Sequence, residues 1–90
     1  MDFNLTSKLL YPNPFQPTGI EFELPEEACV TVEILDNSGL SVETLMEHKH
    51  CSTGKISIAK DLVNYLNDKH CYKISAEIGG KIFIETKLIR

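Results

Sequence analysis

Ile20-Glu21-Phe22-Glu23-Leu24 alternates strictly between apolar and acidic residues, and Val30-Thr31-Val32-Glu33-Ile34 repeats the alternation after a break at Pro25. A period of two sends successive side chains to opposite faces of an extended chain. Each segment therefore reads as a strand with one face on a core and the other in water, the habit of antiparallel sheets. The same reading extends to 41–46, 55–59, 70–78 and 81–89, with a short segment at 8–11, which makes about seven strands.

Turn chemistry falls between these runs. Pro12, Pro14 and Pro17 make the stretch 12–17 an extended connection, because proline cannot donate to a ladder or continue a helix. Asp36-Asn37-Ser38-Gly39 is a tight-turn signal, and Gly79-Gly80 has the length and composition of a two-residue hairpin loop. One stretch, 61–68, carries apolar residues at helical spacing (Leu62, Tyr65, Leu66) behind Asp61 as a candidate N-cap, and predicts one or two helical turns. The expected fold is all-β: an immunoglobulin-like sandwich of about seven antiparallel strands with one short helical segment. Residues 1–7 are read as an N-terminal tail and 8–90 as the domain.

The chain has 90 residues, enough for one core and not two. Its formal net charge of −4 and scattered basic residues argue against a nucleic-acid surface, which needs a basic patch. No run approaches the roughly 20 apolar residues that span a bilayer, and Met1 to Lys8 lacks the pattern of a signal peptide. Cys29, Cys51 and Cys71 form an odd set, which favours free, structural thiols over a disulfide framework.

At Leu10-Tyr11-Pro12-Asn13-Pro14-Phe15-Gln16-Pro17 the chain resembles the opening of immunoglobulin-like domains at the C-termini of secreted bacterial proteins. These are the type IX secretion sorting domain (the Por secretion tail) and the related FlgD Ig-like domain of flagellar hook caps. The likeness continues through Ile20, Phe22, Leu24-Pro25, Val30, Val32, Ile34, Asp36, Gly39, Val42 and Leu45, then Thr53-Gly54-Lys55, Ile58, Tyr72, Ile74, Ala76 and Lys87-Leu88-Ile89-Arg90. The chain departs from the family at Ile58-Ala59-Lys60-Asp61, where a Trp-Asp-Gly-like segment is usual, and at Lys69-His70, where Ser-Gly is usual. The resemblance implies an export tag, surface-attachment module or assembly domain whose closing strand and basic end are read by a secretion machine, through Lys87 and Arg90.

His48, His50 and Cys51 lie together, and His70-Cys71 follow later, all of them residue types that zinc prefers. Their spacing matches no zinc pattern, and neighbours in a strand face apart, so a solvated loop at 48–50 and a structural Cys71 are expected. The same facing rule disfavours a Cys-His nucleophile. Glu21, Glu23, Glu26, Glu27 and Glu33 read as a solvated outer face. The last strand differs from the others in carrying apolar residues in both phases, with Phe83 out of step with Ile82 and Ile84. A contact role is therefore expected there, on Lys81, Phe83, Lys87 and Arg90.

The functional expectation is a non-enzymatic interaction module, with no metal, cofactor or small-molecule substrate, met by a protein partner through its closing or edge strand. It is expected at the cell surface or outside the cell by a route without a visible signal peptide, and in the cytoplasm before export. The alternative is a small stand-alone cargo or accessory protein of a larger secreted assembly, such as a contractile injection particle.

Overall fold

The computed structural model describes residues 5–11, 16–66 and 69–89. Seven strands follow one another: β1 (Lys8–Leu10), β2 (Gly19–Leu24), β3 (Ala28–Leu35), β4 (Ser41–Cys51), β5 (Gly54–Ala59), β6 (Cys71–Ile78) and β7 (Lys81–Leu88). They form two antiparallel sheets, one ordered β1-β2-β5 and the other β4-β3-β6-β7. This is the all-β, immunoglobulin-like sandwich that the alternation predicts, with the fourth strand in the sheet of the third.

The core is built by the phases read from the sequence. Ile20, Phe22 and Leu24 of β2 meet Val30, Val32 and Ile34 of β3 and Tyr72, Ile74 and Ala76 of β6, all buried. The hairpin between β6 and β7 turns on Gly79 and Gly80, with φ of 58° and 83°. Positive φ at both loop positions is what a two-residue hairpin matching the sheet twist requires. At the β3–β4 turn the Asp36 carboxylate accepts hydrogen bonds from the Ser38 N–H at 2.9 Å and the Leu40 N–H at 3.0 Å.

The structure corrects several local expectations. The stretch 61–66 forms a single 3-10 turn, Val63–Tyr65, rather than an α-helical piece, and 67–68 lie outside the described residues. Asp61 does accept the Val63 N–H at 3.1 Å. However, so short a helix is unstable alone, and the Leu62 N–H is tied instead to the Pro17 carbonyl at 3.0 Å, with its side chain in the core. His48 to His50 are not a loop, because β4 runs on to Cys51. It does so through three register shifts, one of them placing Glu47 and His48 opposite Thr31, with His48 at φ 44°. Such bulges twist an edge strand and blunt it against further pairing. The stretch read as a tail, 1–7, contributes fully buried Leu5 and nearly buried Ser7 to the interior. Glu21 is only 15% exposed at its side chain, between Lys8 at 3.8 Å and Lys55 at 3.5 Å, rather than simply solvated.

Two polar clasps close the open sides of the sandwich. On one, Glu43 of β4 takes the Lys60 ammonium at 2.5 Å and the Tyr65 hydroxyl, pinning the segment after β5. On the other, Glu85 of β7 holds residues 5–7, just before β1.

Candidate functional site

β7 reverses the pattern of the other core strands. Its register against β6 sets Lys87 opposite Tyr72, Glu85 opposite Ile74, Phe83 opposite Ala76 and Lys81 opposite Ile78. Directly paired residues share a face, so this charged row turns toward the sandwich interior side. The apolar residues between them turn outward: Ile82 is 64% exposed, Ile84 59% and Leu88 41%.

Two of these charges, Glu85 and Lys87, are occupied by the N-terminal segment. The Glu85 carboxylate accepts the Leu5 N–H at 3.2 Å, the Ser7 N–H at 3.1 Å and the Ser7 hydroxyl. The Tyr72 hydroxyl, buried, donates to Ser7 Oγ at 3.1 Å, and Lys87 Nζ donates to the Ser7 carbonyl at 2.6 Å. Burial pushes the Glu85 carboxyl up. The Ser7 hydroxyl, the Ser7 and Leu5 N–H groups and the nearby Lys87 together outweigh it and hold the group below its ordinary value. Burial likewise pushes the Tyr72 phenol up. A serine beside a carboxylate and a tyrosine invites a catalytic reading, but Ser7 is 3% exposed and its hydroxyl is enclosed by these partners. The constellation fastens the chain's beginning to its last strand.

The contact residues expected from sequence therefore divide. Lys81, Phe83 and Lys87 lie on the clasped row, Phe83 half-buried and Lys87 bonded to Ser7. Arg90 lies outside the described residues. The exposed apolar row is the complementary phase, Ile82, Ile84 and Leu88, which sequence reading passed over. The signal that finds it is the burial of Tyr72 and Ile74, whose β7 partners must then face inward.

The two histidine–cysteine clusters do not come together. His50 is opposite Cys29 at one end of β3, while Cys71 is opposite Leu35 at the other, about 20 Å away at the usual rise per residue. Cys51 turns into the core, and His50 sits 3.6 Å from exposed Glu27. His70 stacks obliquely on Tyr65, ring centroids 5.0 Å apart, with Nδ1 buried and unpaired. No cluster of three or more metal-ligating side chains occurs among the described residues. No helix among them is long and apolar enough to cross a membrane.

Comparison with protein-family models, curated proteins and solved structures finds no match to this chain. The likeness to sorting and hook-capping domains rests on the residues quoted above, of which 12–15 and 90 lie outside the described residues.

Proposed function

We propose that the chain is a non-enzymatic protein-interaction domain, met by its partner along the outer row of the closing strand, Ile82, Ile84 and Leu88. The observation that carries this reading is the contrast between the two edges of the four-stranded sheet. β4 is broken by three register shifts, whereas β7 runs for eight residues in unbroken register and points three large apolar side chains at solvent. Aliphatic side chains at such positions on an edge strand favour association, and edges without a partner usually carry charge there instead. The resemblance to sorting domains supports a setting in an export or surface-attachment assembly, with the chain acting at or beyond the cell surface.

The test is a photo-crosslinking residue placed at position 84 and, as a control, at exposed position 57 on the opposite sheet, in the native cell. A discrete protein adduct from 84 and none from 57 is the expected result. Equal capture at both positions, or none at 84, removes the proposal.

A further inference from the structure

We infer that the outer face of the four-stranded sheet is a dimer interface, on which a second copy of this chain packs with Glu33 of each copy against Lys73 of the other. The inference rests on the interaction reading above and names the partner of that face.

The antiparallel registers align outward side chains in rows across the sheet. Glu33, Lys73 and Thr86 form one row, and Leu35, Cys71 and Leu88 the next. Glu33 and Lys73 stand directly opposite each other, both half-buried, yet neither takes part in an ion pair among the described residues. Two opposite charges thus sit side by side on the same face with no ion pair closed between them. Apolar surface flanks them on both sides. Of the six exposed large hydrophobic residues among those described, five are on β4, on β7 or in the turn that leads into β4.

A two-fold axis lying in the interface and parallel to the strands keeps every row on itself while exchanging the strands. It carries β6 of one copy over β3 of the other, and β7 over β4. Lys73 then faces Glu33 twice, once from each copy. Leu88 falls on the start of β4, where Leu40 and Val42 are 68% and 49% exposed. The competing two-fold axis, across the strands, sets Glu33 over Thr31 and Lys73 over Ser75, so that neither charge meets its opposite on the second copy. Covering charges that gain no partner across the interface is the costlier arrangement, and aligned packing is a usual geometry for two sheets. A face of four strands and eight residues covers about 500 Å² per copy, about 1,000 Å² for the pair, near the lower bound of specific interfaces. An interface at that lower bound belongs with weak, transient association, so the dimer is expected to form only at high protein concentration.

The experiment is sedimentation equilibrium of the full chain up to a few hundred micromolar, with circular dichroism to show that each variant is folded. Glu33→Lys puts lysine against Lys73 of the second copy, and Lys73→Glu puts glutamate against its Glu33. Each variant alone is expected to dimerise at least about a hundredfold more weakly than the parent chain. Mixed one to one, they are expected to form a heterodimer, because the new lysine at 33 faces the new glutamate at 73 while Lys73 of the first variant faces Glu33 of the second. Charge repair within one chain cannot produce that result. A parent chain that stays monomeric, single variants that dimerise like the parent, or a mixture that stays monomeric overturns the inference. If the dimer fails in this way while position 84 still crosslinks to another protein, the interaction reading survives with a different partner; if the crosslink fails as well, both fall.

Discussion

Glu85, four residues before the last described residue, receives the main-chain N–H groups of Leu5 and Ser7 on its carboxylate at 3.2 and 3.1 Å. One side chain thus joins the first and last described segments of the domain across nearly its whole sequence. Because burial of Glu85 is offset by these donors, removing the carboxylate leaves them unsatisfied in a partly closed space. Glu85→Ala is expected to cost about 2–3 kcal/mol, and to lower the melting temperature by about 10 °C or more. Thr86→Ala, on the outward side of the same strand, is expected to stay within about 0.5 kcal/mol. Urea unfolding of the two variants beside the parent checks this, and equal stabilities would show that the clasp is not an anchor.

The same carboxylate makes stability depend on acid. In the folded chain the Glu85 group lies below its ordinary value of 4.5. The unfolded chain therefore binds more protons in that range, and stability rises with pH there. The contribution is complete above 4.5 and is lost as pH falls through the lowered folded value. Asp36 and Glu43 shift in the same direction, Asp36 chiefly through the Ser38 hydroxyl and Glu43 chiefly through Lys60. Glu85→Gln is thus expected to make the acid limb of the stability curve shallower without flattening it. Unfolding free energies measured from neutral pH down to pH 3 or so test the sign; an unchanged slope contradicts it.

How far the fold was legible follows from where one phase is unambiguous. Ile20, Phe22 and Leu24 alternate with glutamates, and Val30, Val32 and Ile34 with polar residues, so their inward faces are set locally and all six are buried. Gly79-Gly80 fixes its hairpin for the same reason, since no other residue pair adopts two positive φ angles as easily. β7 has no such local answer, because Lys81, Phe83, Glu85 and Lys87 compete with Ile82, Ile84 and Leu88 for the inner face. The tie is broken by residues 5–7, whose N–H and C=O groups need the carboxylate and the ammonium. That requirement comes from the far end of the chain and leaves no periodic trace. The bulges of β4 are hidden likewise, since register belongs to the pair of strands and not to one of them.

Gly19 carries a second test of packing. A Cβ built there meets the Ile58 carbonyl oxygen at 2.5 Å and Leu10 Cδ1 at 3.3 Å. The Leu10 methyl can move aside, but the carbonyl belongs to the β5 backbone paired with β2 and has little freedom to retreat. Gly19→Ala is expected to push β5 away from β2 and to destabilise the domain by about 1–3 kcal/mol. Accelerated amide exchange in β2 and β5, with β6 and β7 unchanged, is the accompanying signature. A variant as stable as the parent would mean that the two strands separate there without cost.

The three thiols differ in exposure enough to be told apart chemically. Cys51 is 6% exposed among core residues, with its thiol pushed up by burial, which outweighs the lowering effect of Lys49. Cys29 and Cys71 lie on the outer face of the four-stranded sheet and are half-buried. All three are free. Since the thiolate is the reactive form and must also be reached by the reagent, Cys51 is protected on both counts. Brief alkylation of the native chain at pH 8 or so, followed by peptide mass spectrometry, is expected to label Cys29 and Cys71 well before Cys51. Under denaturant the three rates should converge, because the difference comes from the fold. The assay also reads the proposed dimer: at high concentration Cys71, which that arrangement sets over Leu35 of the second copy, is expected to slow while Cys51 does not change. Labelling of Cys71 that is independent of concentration argues against that arrangement.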